Sequence, residues 1–146
     1  MADIHVSGHC YCGGVTFAVD VPEGEAPIFR TYCHCDSCRR AHAAPLYQVV
    51  CVDASCFRVT SGDDLIVPFT KPGGTITRAF CGTCGSKIYN RFGSWRPKGK
   101  EPLVFFPATL DEATQHDLPE AFQSMGNNRP DECVLQASML RPLLDT

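Results

Sequence analysis

Cys81-Gly82-Thr83-Cys84-Gly85 places two thiols in a short, glycine-bearing turn, an arrangement that offers a metal half of what it needs. The glycines admit positive φ and let backbone N–H groups approach the sulfurs, so the stretch reads as a zinc knuckle. A second pair lies upstream in Cys10-Tyr11-Cys12-Gly13-Gly14, where residues two apart share one face of an extended segment that runs into Val15–Val19. Together Cys10, Cys12, Cys81 and Cys84 make a four-thiolate set, read here as a structural zinc site. It joins the N-terminal strand to the middle of the chain across about 70 residues, and closing so long a loop is where a metal clip stabilises most.

The chain has 146 residues and 10 cysteines, and a third cluster, Cys33-His34-Cys35-Asp36-Ser37-Cys38, packs three of them into six residues. Disulfides are a poor explanation for these clusters. Residues at i and i+2 of a strand have Cα atoms about 6.5–7 Å apart, at the edge of what a disulfide spans. A redox Cys-X-X-Cys wants a βαβ setting, which the residues around Cys81 do not offer. Thiolate ligands suit zinc or an iron–sulfur cluster, and the spacings do not match ferredoxin runs. Zinc is therefore expected twice per chain. Cys33, Cys35 and Cys38 supply three ligands, the arrangement of a catalytic zinc that keeps one position open. The alternative is a site closed by histidine. His34 points away from its neighbours in an extended segment, whereas His42 shares a face with Cys38 if a helix starts with Asp36 or Ser37 as its cap.

Length predicts one domain, taken as residues 1–146, with the motif-bearing core at about 6–91. Charged residues at 20% and hydrophobic residues at 44%, with 9 Phe and 4 Tyr, exclude an intrinsically disordered chain. Residues 1–7 show no basic region followed by an apolar stretch, and no apolar run approaches the ~18 residues that span a bilayer. A cytoplasmic protein without membrane contact is expected. The net charge of -3 argues against a nucleic-acid partner.

Patterning is mainly β. Strands are expected at Val15–Val19, Tyr47–Val52, Phe57–Thr60, Leu65–Phe69, Thr75–Phe80, Lys87–Asn90 and Leu103–Phe106, separated by turn signals such as Ser61-Gly62-Asp63-Asp64. A short helix is expected to begin at Asp111, with His116 on the surface. Cys51, Cys56 and Cys133 read as small core or surface residues. From Lys87 to Lys100 there are five basic residues and no acid. They form either a solvated loop or a docking surface for a small anion, with Trp95 as its apolar wall.

The ordered set Gly8-His9-Cys10-Tyr11-Cys12-Gly13-Gly14-Val15, then Cys33-His34-Cys35-Asp36-Ser37-Cys38-Arg39, then Phe57 and Gly62, then Arg78-Ala79-Phe80-Cys81-Gly82-Thr83-Cys84-Gly85-Ser86 resembles the glutathione-dependent formaldehyde-activating enzyme family, which includes the centromere protein V domain. The resemblance implies a β-tent fold of small antiparallel sheets clamped by zinc, with few short helices. It also implies the ligand sets already read from the spacing. Many members have glycine about five residues after the last cysteine of the second cluster, where this chain has Ala43.

The family's reaction joins glutathione to formaldehyde, a carbon–sulfur lyase in the reverse sense. The expected function is thus a zinc-dependent lyase-like enzyme acting on a small-molecule thiol and a carbonyl, with Arg39, Arg40 and Arg96 as anchors for the carboxylates of the thiol substrate. Two other classes compete. A non-catalytic zinc domain serving a protein partner would have two closed sites and a large exposed apolar patch. A thiol-redox protein would need a reactive cysteine among Cys51, Cys56 and Cys133.

Overall fold

The computed structural model of the protein describes residues 3–135. Val15, Phe17, Val19 and Val21 are all buried, and this period of two builds β2 (Thr16–Val21) as the centre of a three-stranded sheet. Its neighbours are β1 (Ile4–His9) and β5 (Phe57–Ser61), both antiparallel to it. The remaining strands are β3 (Phe29–Cys33), β4 (Tyr47–Asp53), β6 (Ile66–Thr70), β7 (Ile76–Cys81), β8 (Lys87–Phe92), β9 (Pro102–Phe105) and the two-residue β10 (Asn127–Asn128). They form one sheet in the order β10-β3-β4-β9-β8-β7-β6. Pro68, which cannot donate to a ladder, sits in the edge strand β6. Two α-helices, α1 (Asp36–His42) and α2 (Glu112–His116), and six short 3-10 segments accompany the strands among the described residues, and no helix is long and apolar enough to cross a membrane.

The expected strands all form. The large sheet departs from a purely antiparallel pattern at one place, because β10 runs parallel to β3. The sequence offers no apolar alternation at Asn127 and Asn128; tertiary contacts make this strand, with Tyr32 and His34 donating backbone N–H groups to Gly126 and Asn128. The cap of α1 is Cys35, in extended conformation, rather than Asp36 or Ser37. The helix starts immediately after Cys35, and the free N–H of Asp36 is met by the Glu132 carboxylate at 2.6 Å.

β4 and β9 are buried on both faces. Val50, Val52, Leu103 and Phe105 join Val15, Phe17 and Val19 in the main core, while Val49, Cys51, Val104 and Phe106 pack with Cys33 and Cys38 on the opposite side. The C-terminal stretch is part of the same structure. Phe122 is fully buried against Phe105, and Leu110 pairs with Gly8 at the end of β1.

Two backbone positions carry local strain or its relief. Gly62 has φ +79, and a Cβ there would lie 2.0 Å from the carbonyl oxygen of Gly14, beside the first cysteine cluster. Ala43 ends α1 in the left-handed conformation, φ 51 and ψ 42, which explains physically why a glycine suits this position. Gly62→Ala is expected to destabilise the protein by about 2–4 kcal/mol, and Ala43→Gly to stabilise it by about 0.5–1 kcal/mol. Urea denaturation of both variants measures the two signs; equal effects would contradict the backbone account.

Candidate functional site

The first cysteine centre is assembled from two chain turns. Cys10 and Cys12 follow β1, while Cys81 ends β7 and Cys84 closes the turn into β8. All four sulfurs lie within 4.8 Å of one another, with Cys10 to Cys12 at 3.5 Å and Cys12 to Cys81 at 3.8 Å. A tetrahedral zinc with bonds of ~2.3 Å sets its sulfurs about 3.8 Å apart, so the four residues could hold that ion. Donors already face the sulfurs. The N–H of Val15 reaches Cys10 Sγ at 3.3 Å, that of Gly14 reaches Cys12 Sγ at 3.4 Å, and Ser86 Oγ lies 3.2 Å from Cys84 Sγ. Ser86 Oγ also accepts from the N–H of Tyr11 at 2.8 Å, tying the two turns together.

These donors do not act equally. The Ser86 hydroxyl and N–H hold the Cys84 thiol down at about 5. Burial would raise Cys10, yet the Val15 N–H and the adjacent sulfurs leave it below the ordinary thiol value. The Gly14 N–H favours the Cys12 thiolate, but the sulfurs of Cys10 and Cys84 crowd it and push it up to about 11.

The second centre joins Cys33 at the end of β3, Cys35 in the link and Cys38 in α1, their sulfurs again within 4.8 Å of one another. Among the described residues no fourth cysteine, histidine or carboxylate completes the group. His34 is buried with Nε2 2.8 Å from Asn127 Oδ1, turned away from the sulfurs. His42 does lie on the Cys38 side of α1, but its ring is committed to a stack on Tyr47 at 4.1 Å and an edge contact with Phe106. Burial and then the charge of Arg78 lower the His42 pKa to about 4, so this ring is neutral.

Three residues that sequence reading did not single out surround the second centre. Asn128 Nδ2 donates to Cys33 Sγ at 3.5 Å, Arg78 Nη2 donates to Cys38 Sγ at 3.5 Å, and the Tyr47 phenol is near enough to Cys38 for each to shift the other's ionisation. Burial and the neighbouring Cys38 sulfur raise the Tyr47 pKa, so its hydroxyl remains a donor. The Cys33 and Cys35 thiols, with Tyr47 and Arg78, bring Cys38 down to about 4, while the Cys38 sulfur and burial raise both Cys33 and Cys35. Arg78 remains charged: burial opposes its charge, and contact with Cys38 outweighs that cost. Arg78 belongs to the Arg78–Ser86 motif, but nothing in sequence spacing places its side chain against Cys38, 40 positions away.

Beside this centre, between α1 and β6–β8, lies an open groove of about 1060 Å³. Arg39, Arg40, Lys71, Arg78 and Lys87 line it, with Asp36 as its acidic counterpart. Phe69 and Phe80 give it an apolar floor, and Lys87 Nζ sits 5.3 Å above the Phe80 ring. Arg39 is partly occupied, since it pairs with Asp36 and its Nε donates to the carbonyl of His34 at 3.0 Å.

Two residues that the sequence offers for ligand binding lie outside this groove. Arg96 does not line the groove; its Nη1 donates to the carbonyl of Trp95 at 2.8 Å. Trp95 likewise packs on Phe29 and Phe92 instead of forming a wall for a ligand. The basic run from Lys87 to Lys100 was continuous only along the chain: Lys87 faces the groove, while Arg91 pairs with Glu101 at 3.2 Å. Of the three isolated cysteines, Cys51 and Cys56 are buried and Cys133 is half-buried. Burial pushes the Cys51 thiol up to about 12 and also raises Cys56, neither of which suits a reactive thiol.

Between about pH 5 and 8, Cys38 is ionised while Cys33 and Cys35 hold their protons, so uptake of an ion by this set displaces two protons. Its apparent zinc affinity should then climb by about two decades per pH unit. Competition with a chromophoric chelator, with the first centre already filled, measures the slope, and a pH-independent affinity would contradict the assignment. Replacing ligands separates the two centres further. Cys12→Ser should unfold the protein, whereas Cys35→Ser should keep the fold and lose metal only at the second centre, as read by circular dichroism and zinc counting.

Comparison with known proteins agrees with this architecture. The family model described as glutathione-dependent formaldehyde-activating enzyme matches residues 5–124. The match reaches well past the expected core limit at residue 91, consistent with the buried Leu110 and Phe122. Among solved structures, a crystal structure of a Rhodobacter sphaeroides protein shares the fold, with 24% sequence identity and a TM-score of 0.58 over 84% of this chain and 99% of that one.

Proposed function

The chain belongs to the glutathione-dependent formaldehyde-activating enzyme family, and from that premise we propose that it is a zinc-dependent carbon–sulfur lyase-like enzyme. It activates a thiol such as glutathione for adduct formation with formaldehyde or a related small carbonyl. The observation that carries this reading is the three-sulfur set of Cys33, Cys35 and Cys38, without a fourth ligand among the described residues, beside a groove lined by five cationic side chains.

Cys33, Cys35 and Cys38 would hold a zinc ion, which would supply Lewis acidity and favour ionisation of an approaching thiol. The chain's own residues do the rest. Arg40, Lys71 and Lys87 are free to take the carboxylates of the thiol substrate, with Arg39 contributing through whatever donor capacity its Asp36 and His34 contacts leave. Phe69 and Phe80 cover the aliphatic part of such a ligand and thin the water around it. Asn128 and Tyr47 hold Cys33 and Cys38 in place and spread their negative charge. The first centre, Cys10, Cys12, Cys81 and Cys84, serves as the structural zinc.

A cytoplasmic setting suits this chemistry, because none of the ten cysteines is in a disulfide and the thiol substrate must stay reduced. A partner-binding zinc domain would instead have both centres closed by protein ligands, and the second centre lacks that closure among the described residues.

Two zincs per chain are expected, one of them removed readily by chelator and protected by glutathione. Exchange spectroscopy by NMR should show faster interconversion of formaldehyde and S-hydroxymethylglutathione with the holoprotein than with buffer. A single tightly held zinc, with Cys33, Cys35 and Cys38 open to alkylation and no faster exchange, would overturn the proposal.

A further inference from the structure

We propose, resting on the thiol–carbonyl reading above, that Arg78 receives the oxygen of the carbonyl substrate, its Nη1 stabilising the alkoxide formed as the thiol sulfur adds to the aldehyde carbon. Neither the family match nor the zinc sites assign this residue a role.

The guanidinium is divided between two tasks. Nη2 donates to Cys38 Sγ at 3.5 Å. Nη1 is shielded from solvent and has no hydrogen-bond partner among the described residues. Because the group is planar, anchoring Nη2 on the sulfur also fixes the direction of the Nη1 donors. A buried donor without an acceptor is costly, all the more when it carries charge, so its retention needs a reason. Position supplies one. Arg78 lines the groove, and among the groove's five cations it is the one that touches a sulfur of the three-cysteine set. A ligand entering the groove thus meets Arg78 next to the place where its sulfur must react, and reaches Nη1 by displacing the atoms that screen this nitrogen from solvent.

The remaining cations are better placed for other work. Arg39 is turned to Asp36 and His34, whereas Arg40 and Lys71 are exposed on the groove surface, where a carboxylate keeps part of its hydration. A developing alkoxide calls for the opposite environment, a fixed donor screened from water. On β7, Arg78 is held in register between Phe69 of β6 and Asn90 of β8, so its backbone origin is set by ladders on both sides.

The step balances without any redox partner. The thiolate sulfur uses a lone pair to form the C–S bond, the C=O π pair moves onto oxygen, and Arg78 Nη1 donates to the resulting alkoxide. The proton released from the thiol is returned to that oxygen through water, giving a hemithioacetal. In the lyase direction the same donor stabilises the alkoxide before the C–S bond breaks.

The test compares holoprotein with Arg78→Lys and Arg78→Ala, reading zinc per chain, glutathione affinity by calorimetry without aldehyde, and kcat by NMR exchange. Both variants should keep two zincs and bind glutathione within about threefold of the parent, while kcat falls by about 100-fold. Added guanidinium should restore part of the loss in Arg78→Ala. Loss of the second zinc in Arg78→Lys would show that Arg78 only supports the cysteine set and would overturn the inference. Weakened glutathione binding with unchanged kcat would make it a carboxylate anchor and overturn it equally. An active parent with unimpaired variants removes the inference alone; a parent that accelerates no thiol–aldehyde exchange removes the underlying reading together with it.

Discussion

Four sulfurs from two turns, with Cys12 and Cys81 separated by 69 positions, must converge within 4.8 Å, and most of the architecture follows from that requirement. Bringing such distant segments together is entropically expensive, and four crowded thiols oppose joint ionisation unless a cation repays them. The surrounding backbone is built for the convergence. Gly62 approaches Gly14 so closely that a Cβ on Gly62 would strike the Gly14 carbonyl, and the N–H groups of Gly14 and Val15 are directed at sulfur. Ser86 completes the link by bonding to both turns. The three-stranded sheet and the edge of the seven-stranded sheet are thereby fastened at one point.

The second centre depends on a different device, a pair of strands buried on both faces. Residues of β4 and β9 alternate between the main core and the packing layer behind Cys33 and Cys38. A rigid double-faced wall keeps β3 and α1 in fixed relation, and so fixes the three sulfurs that those elements carry. Tyr47 begins β4 and turns its phenol to Cys38, and β10 closes the far side with Asn128 on Cys33. The outcome is a sulfur set supported by the protein on several sides, facing the groove through Arg78 on another.

Charge is distributed by the same geometry. The chain is acidic overall, yet five cations meet in one groove because α1, the β6–β7 turn, β7 and β8 each contribute to it. A run of basic residues along the sequence is a poor guide to such a site, since β-strand alternation and loop direction scatter consecutive residues over different surfaces. Lys87 and Arg96 belong to one basic run and end in unrelated places.

Local patterns carried a great deal. Cysteine spacing sorted the thiols into sets of four and three, period-two alternation marked the strands, and the composition excluded disorder; all of these depend on contacts between near neighbours or on ligand counts, which a linear sequence displays directly. What it could not display were contacts made across the fold. Asn127 and Asn128 have no strand signature, and only pairing with β3 makes them one. The cap at Cys35 depends on where three sulfurs must meet, and the Asp36 amide is satisfied by Glu132 from 96 positions away. Arg78, Tyr47 and the basic groove emerge from strand register and helix docking. The membership of the two cysteine clusters was therefore written in the chain, whereas the environment that tunes them arose from packing, because hydrogen bonding and charge act through distance in space and not through separation along the backbone.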